Sequence, residues 1–247
     1  MFRNNLFIIV LGLMGNVCFA SSEQVDQGKF VYSDDLNQII ESANKGNRED
    51  LYLLAVFHEH GDGVPKNLDL AIDLYERSAA KGYHKAQYNL GVMYAEGRGV
   101  EQDFELAAEL YQQAAQQGYY KAKFNLGLLY LDGRGVELDL REAFRLVKEA
   151  ADQVIEAPDQ KSAKIIFTLG VFYGKGWGVG RNNSETVRLL ELAAKHGYDK
   201  AQYNLGVLYE NGEMGVIQDL RTAAYYYKQA AEQGYDLAKQ AVADLQE

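Results

Sequence analysis

Apolar and polar positions alternate along this chain in one pattern that recurs five times. In residues 86–96 apolar residues fall at Ala86, Leu90 and Tyr94, the i, i+4, i+8 spacing of one helix face. Gly97-Arg98-Gly99-Val100 follows, a turn in which glycine accepts positive φ without strain. Asp103 then predicts a helix start, because its carboxylate can accept backbone N–H bonds. The second helix places Ala107, Tyr111, Ala114 and Ala115 toward a neighbour, and Gly118 predicts its left-handed end.

The same columns return elsewhere. A Leu-Gly pair recurs at Leu90-Gly91, Leu126-Gly127, Leu169-Gly170 and Leu205-Gly206, with Leu54-Ala55 one period earlier. The period is 36 residues, lengthened to 43 between the third and fourth copies and by one residue at Glu213-Met214. The longer gap places an insertion around 152–163. The cap column reads Asn67, Asp103, Asp139, Asn182 and Asp219, and the end column reads Gly82, Gly118, Gly197 and Gly234. A helix pair of this size cannot bury its own apolar face and must stack on the next pair. The units predicted are about 50–84, 86–120, 122–157, 165–199 and 201–236. Residues 33–46 read as a lone second helix and 237–247 as a lone first helix, two half-repeat caps.

These motifs identify a resemblance. A-x-x-x-L-G-x-x-Y-x-x-G-x-G-V-x-x-D-x-x-x-A followed by Y-x-x-A-A-x-x-G resembles the Sel1-like repeat, a relative of the tetratricopeptide repeat. The resemblance covers roughly residues 33–247 and implies an all-α, right-handed α-solenoid. Departures are His58 in the tyrosine column, Val154-Ile155 for Gly-Tyr, and Thr186 and Leu190 in the fourth copy.

Residues 1–20 read as an exported chain's signal peptide. Arg3 is the positive start, Leu6 to Met14 the short apolar run, and Cys18-Phe19-Ala20 a small-residue cleavage site before Ser21. The run is too short to span a bilayer, which takes about 20 apolar residues. Residues 21–32 form a polar lead. The expected location is therefore periplasmic or secreted, with no membrane insertion after cleavage.

Composition narrows the function. Of 247 residues 24% are charged and 47% hydrophobic, with a formal net charge of −10. That surplus of acid disfavours nucleic acid, whose phosphates are bound by clustered Lys and Arg. The one cysteine, Cys18, lies in the leader, so no disulfide or cysteine-based zinc site is expected. His58-Glu59-His60 has the wrong spacing for a helical zinc pair, which uses i, i+4, and reads as one semi-buried and one exposed histidine. Within the glycine-rich run 174–180, Gly176 and Gly178 fall in the turn columns of Gly97 and Gly99 and no strand precedes them, so a phosphate loop is not indicated. No cofactor, metal or catalytic residue is assigned.

The candidate binding surface lies on the first helices. Lys85 with Asn89, Lys121 with Asn125 and Lys200 with Asn204 are i, i+4 pairs on one face. An aromatic column accompanies them: Tyr52, Tyr88, Phe124, Phe167 and Tyr203. On a concave face such a ladder would hold a peptide backbone or carboxylate, with the rings as apolar shelves. The other reading is that the amides bond a neighbouring helix and the rings pack in the core. The resemblance implies a non-enzymatic adaptor that binds a peptide or protein partner in envelope assembly, regulation or host contact. A cell-wall-related or β-lactam-binding hydrolase-like enzyme is the alternative. The β-lactam link belongs to Sel1-like proteins with cysteine-bridged repeats, and those cysteines are missing here. A plain structural spacer is a third reading. The insertion with Pro158 reads either as a recognition loop or as a surface excursion.

Overall fold

The computed structural model describes residues 33–245. The expected signal peptide, the expected polar lead and the last two residues lie outside these. Twelve helices are found among the described residues: α1 Ser33–Asn44, α2 Arg48–His60, α3 Leu68–Ala80, α4 His84–Glu96, α5 Phe104–Gln116, α6 Tyr120–Asp132, α7 Leu140–Asp152, α8 Ala163–Lys175, α9 Asn183–Lys195, α10 Asp199–Asn211, α11 Leu220–Glu232 and α12 Asp236–Asp244. No strand is found among the described residues. The fold is an all-α repeat.

The chain forms two compact units, one reaching Asp139 and the other beginning at Leu140. In each, packing runs from one helix to the next, from α1 through α6 in the first and from α7 through α12 in the second. The five pairs begin with α2, α4, α6, α8 and α10, while α1 is a lone second helix and α12 a lone first helix.

Sequence chemistry sets the helix ends. The side chains of Asn67, Asp103, Asn182 and Asp219 accept from backbone N–H groups in the first turns of α3, α5, α9 and α11. Past the C-termini, Gly82, Gly118, Gly197 and Gly234 take φ between 78° and 92°, so the last amides fold back onto helix carbonyls.

Two glycine columns are there for contact. A Cβ on Gly91 would meet the Tyr111 ring at 2.8 Å, and one on Gly206 would meet Tyr227 at 2.5 Å. At these Leu-Gly pairs the two helices of a repeat approach too closely for a side chain. The second turn glycine docks on the preceding second helix: a Cβ on Gly135 would sit 2.1 Å from the Phe104 carbonyl oxygen, and one on Gly178 2.0 Å from that of Leu140.

First and second helices differ in burial. In α4 the run Ala86 to Met93 is buried without a break, and α8 is buried likewise from Ile165 to Phe172. The second helices are two-faced: α5 buries Ala107, Ala108, Leu110, Tyr111, Ala114 and Ala115 and exposes Glu105, Glu109, Gln112 and Gln113.

Candidate partner-binding surface

The aromatic column of the first helices lies in the interior. Tyr52, Tyr88, Phe124 and Phe167 are at most 3% exposed, and Tyr203 is half-buried. Four of these rings, Tyr52, Tyr88, Phe167 and Tyr203, meet tyrosines of neighbouring segments. Tyr52 meets Tyr75 at 5.9 Å and Tyr83 at 5.2 Å; Tyr88 meets Tyr111 at 5.9 Å and Tyr119 at 5.1 Å. Phe167 meets Tyr198 at 5.1 Å, and Tyr203 meets Tyr227 at 5.5 Å and Tyr235 at 5.2 Å. Tilted and edge-on rings at such distances attract beyond their burial. These side chains are packing units, not open shelves, which corrects the surface reading of the column.

The asparagine column is interior too. Asn89, Asn125 and Asn204 are buried, and so is Thr168 in the same column. Their bonding follows the residue on the preceding second helix. Asn89 Nδ2 donates to the Tyr75 hydroxyl at 3.1 Å. Where Leu190 replaces the tyrosine, Asn204 Nδ2 donates to the Lys200 carbonyl of its own helix at 2.7 Å. Where Val147 replaces it, the Thr168 hydroxyl donates to the Lys164 carbonyl at 2.8 Å. Asn89, Asn204 and Thr168 thus each give a buried donor an acceptor, as burial away from water requires. Lys85, Lys121 and Lys200 stand half-exposed at the helix starts, so the expected Lys/Asn ladder separates into surface lysines and core amides.

Sequence reasoning missed a buried polar chain. Glu59 is 3% exposed, although it sits between two half-exposed histidines, where one exposed histidine was expected. The Tyr75 hydroxyl donates to Glu59 Oε2 at 2.5 Å, and Arg98 Nη1 donates to Glu59 Oε1 at 2.6 Å. Burial, and then the Glu59 charge, hold the Tyr75 phenol well above its ordinary range. Glu210 and Tyr227 repeat the first half of this arrangement at 2.5 Å, and burial with that hydrogen bond likewise raises Tyr227. Two glutamine pairs also link neighbouring elements: Gln117 donates to Gln87 at 2.8 Å and Gln233 to Gln202 at 2.7 Å. The two pairs span nearly the same separation, 30 and 31 residues, and that recurrence was the available signal.

The insertion spans 153–162. Asp159 and Ser162 cap each other, Ser162 N–H donating to Asp159 Oδ1 at 2.7 Å and Asp159 N–H to Ser162 Oγ at 2.9 Å. The Ser162 hydroxyl and amide hold the Asp159 carboxyl below its usual range. Among the described residues no group of three His, Cys, Asp or Glu is placed to hold a metal ion, and no helix is long and apolar enough to cross a membrane.

The surface itself carries a groove of about 280 Å³ between α3 and α5, floored by α4. Leu90, Leu106 and Leu110 give it an apolar lining; Tyr94, Glu76 and Gln113 complete it. The Tyr94 hydroxyl donates to Glu76 Oε1 at 3.5 Å across it.

The Sel1 repeat family model matches residues 49–83, 84–119, 121–154, 167–198 and 199–235. The chain belongs to the Sel1 repeat family. The matched segments agree with the helix pairs found here within a few residues. Among solved structures it is similar to a Sel1 repeat protein from Oxalobacter formigenes, at 28% identity and a TM-score of 0.70, over 81% of this chain and 79% of that one. It is also similar to c5321, a protective antigen present in uropathogenic Escherichia coli strains, at 29% identity and a TM-score of 0.55, over 84% of this chain and 50% of that one. A Sel1 repeat protein from Klebsiella pneumoniae shares the fold at 18% identity and a TM-score of 0.53, over 86% of this chain and 99% of that one. No curated protein matches. Sel1 repeat proteins are in general scaffolds for protein interaction and typically not enzymes. In this Sel1 repeat protein the first helices are spent on stacking, and the outward faces of the second helices form much of the surface.

Proposed function

We propose that this Sel1 repeat protein is an exported scaffold that holds a peptide or protein partner on its helical surface, in envelope assembly, regulation or host contact. The observation that carries the reading is the division of labour between helices. First helices are buried nearly all round, whereas second helices turn polar faces outward and leave an apolar groove between α3 and α5. Such an array presents a rigid surface at little ordering cost to itself. Export rests on the pattern of the first twenty residues, and kinship with a protective antigen is in keeping with it. On the first helices, Lys85, Lys121 and Lys200 contribute from their half-exposed positions to the face expected to be concave.

The test is crosslinked affinity capture from the cell envelope and medium. The bait is the chain from Ser21, beside a Lys85→Ala/Lys121→Ala/Lys200→Ala variant of equal helicity. A stoichiometric partner on the wild-type bait is expected, weakened in the variant if the lysines contribute. Absence of any partner, together with turnover of cell-wall fragments by the purified protein, would replace the scaffold with the hydrolase reading.

A further inference from the structure

Leucine at position 106 is not demanded by repeat stacking. Its column reads Leu70, Leu106, Glu142, Glu185 and Thr222, so later repeats pack with a carboxylate or a hydroxyl there. Glu142 and Glu185 spend that position on surface ion pairs with Arg145 and Arg188. Leu70 is 37% exposed and Leu106 half-exposed on the groove wall. The corresponding place in the other unit is filled: Tyr226 stands in the Leu110 column and stacks on Tyr209, the counterpart of Tyr94, at 5.9 Å and 17°. Between α3 and α5 the residue in that column is Leu110 rather than a ring, and a groove lined by Tyr94, Leu90, Leu106 and Leu110 stays open.

The border of this groove is acidic. Glu76 lines it, and Asp69 and Asp73 precede Glu76 on α3 at the i, i+4, i+7 spacing of one helix stripe. Glu109 lies one turn from Leu106 and Gln113 on α5. The only cation within these two helices, Arg77, is paired with Asp73 at 3.3 Å. An apolar trough between like-charged borders selects a ligand with apolar side chains on one stripe and positive charge on its flanks.

We propose that the groove between α3 and α5 binds a basic amphipathic helix of a partner protein, its apolar stripe on Leu106 and Leu110 and its Lys or Arg side chains toward Glu76, Asp73 and Glu109. This rests on the scaffold reading and gives it a surface and a partner chemistry. Leu106 is the apolar anchor, and Glu76 is the carboxylate that moves from Tyr94 to the incoming cation.

The probe is a labelled Leu/Lys peptide with leucines at i, i+3, i+4 and i+7, read by fluorescence anisotropy on the chain from Ser21. Its scrambled isomer tests amphipathicity, and a Leu/Glu counterpart tests charge. Leu106→Glu, which installs the residue of later repeats, is expected to weaken binding about tenfold, the size of one interface anchor, with circular dichroism unchanged. Glu76→Lys is expected to weaken it severalfold, and Glu232→Lys, an equal charge change in the other unit, to leave it unaltered. Hydrogen exchange with the Leu/Lys peptide is expected to slow in α3 and α5. Equal affinity for the scrambled isomer, or equal losses from Glu76→Lys and Glu232→Lys, would reduce the effect to attraction between net charges and overturn the groove. Protection mapped to another surface would overturn the groove while leaving the scaffold intact; a capture experiment without a partner would remove the scaffold instead.

Discussion

Gly206 faces the Tyr227 ring so closely that a Cβ built on it would fall 2.5 Å from two ring carbons. Tyr227 is 1% exposed and tethered to Glu210, so the ring has little freedom to retreat. Gly206→Ala should therefore destabilise the unit that begins at Leu140. Overpacking of this kind costs about 1–3 kcal/mol, and alanine's better helix propensity returns up to about 1 kcal/mol. Urea unfolding should show a net loss. A gain in stability would mean that α10 and α11 are free to slide apart.

The Tyr75 hydroxyl bridges Glu59 and Asn89, one neighbour accepting and the other donating. Tyr75→Phe leaves both buried partners short of a hydrogen bond, at a cost of about 1–3 kcal/mol. Asn89→Ala should cost less in the Tyr75→Phe background than in the wild type, because the two changes remove one shared contact. Additive losses in a denaturation cycle would show that the chain does not act as a unit.

Helix boundaries were legible because they are written in local chemistry. Asn67, Asp103, Asn182 and Asp219 bond amides two or three residues away, and the end glycines act within one turn. The interior of the first helices was not. A helix buried on every side, as α4 is from Ala86 to Met93, shows no polar stripe to contrast with an apolar one. Asn89 thus reads as surface by residue type, while its partner stands on another helix 14 residues earlier. Glu59 is hidden the same way, its cation supplied from 39 residues on. The groove was illegible for the opposite reason: Leu106 looks like core by type, and only the neighbouring columns show that its half-exposed side chain is not demanded by stacking.

Alkaline pH should unfold the protein sharply. Burial raises the phenols of Tyr75, Tyr111 and Tyr227 in the folded state, reinforced at Tyr75 and Tyr227 by Glu59 and Glu210. In the unfolded chain these groups ionise near pH 10. Above that value the unfolded state binds fewer protons than the folded one, so stability falls as pH rises and is unaffected by these groups below it. Absorbance at the phenolate band should show the three titrating together with loss of helix. Tyr75→Phe should soften the slope. Phenolate formation in the intact fold near pH 10 would contradict the burial.

Sequential packing makes a further demand on the C-terminal helix. In the second unit α12 rests on α11, with Ala238 fully buried, and Tyr235 packs its ring on Tyr203. Deleting residues 237–247 removes most of a nine-residue helix and uncovers the side of α10 and α11 that it shields. Because neighbours carry the stability of such an array, the loss should stay near the end. Far-ultraviolet circular dichroism should keep most of its helical signal, while dye binding to apolar surface rises and solubility drops. Helices as far back as α7 should keep their amide protection, with fraying confined to α10 and α11. Collapse of the whole helical signal would show that the unit folds as one cooperative block and that stacking between nearest neighbours is not what holds it.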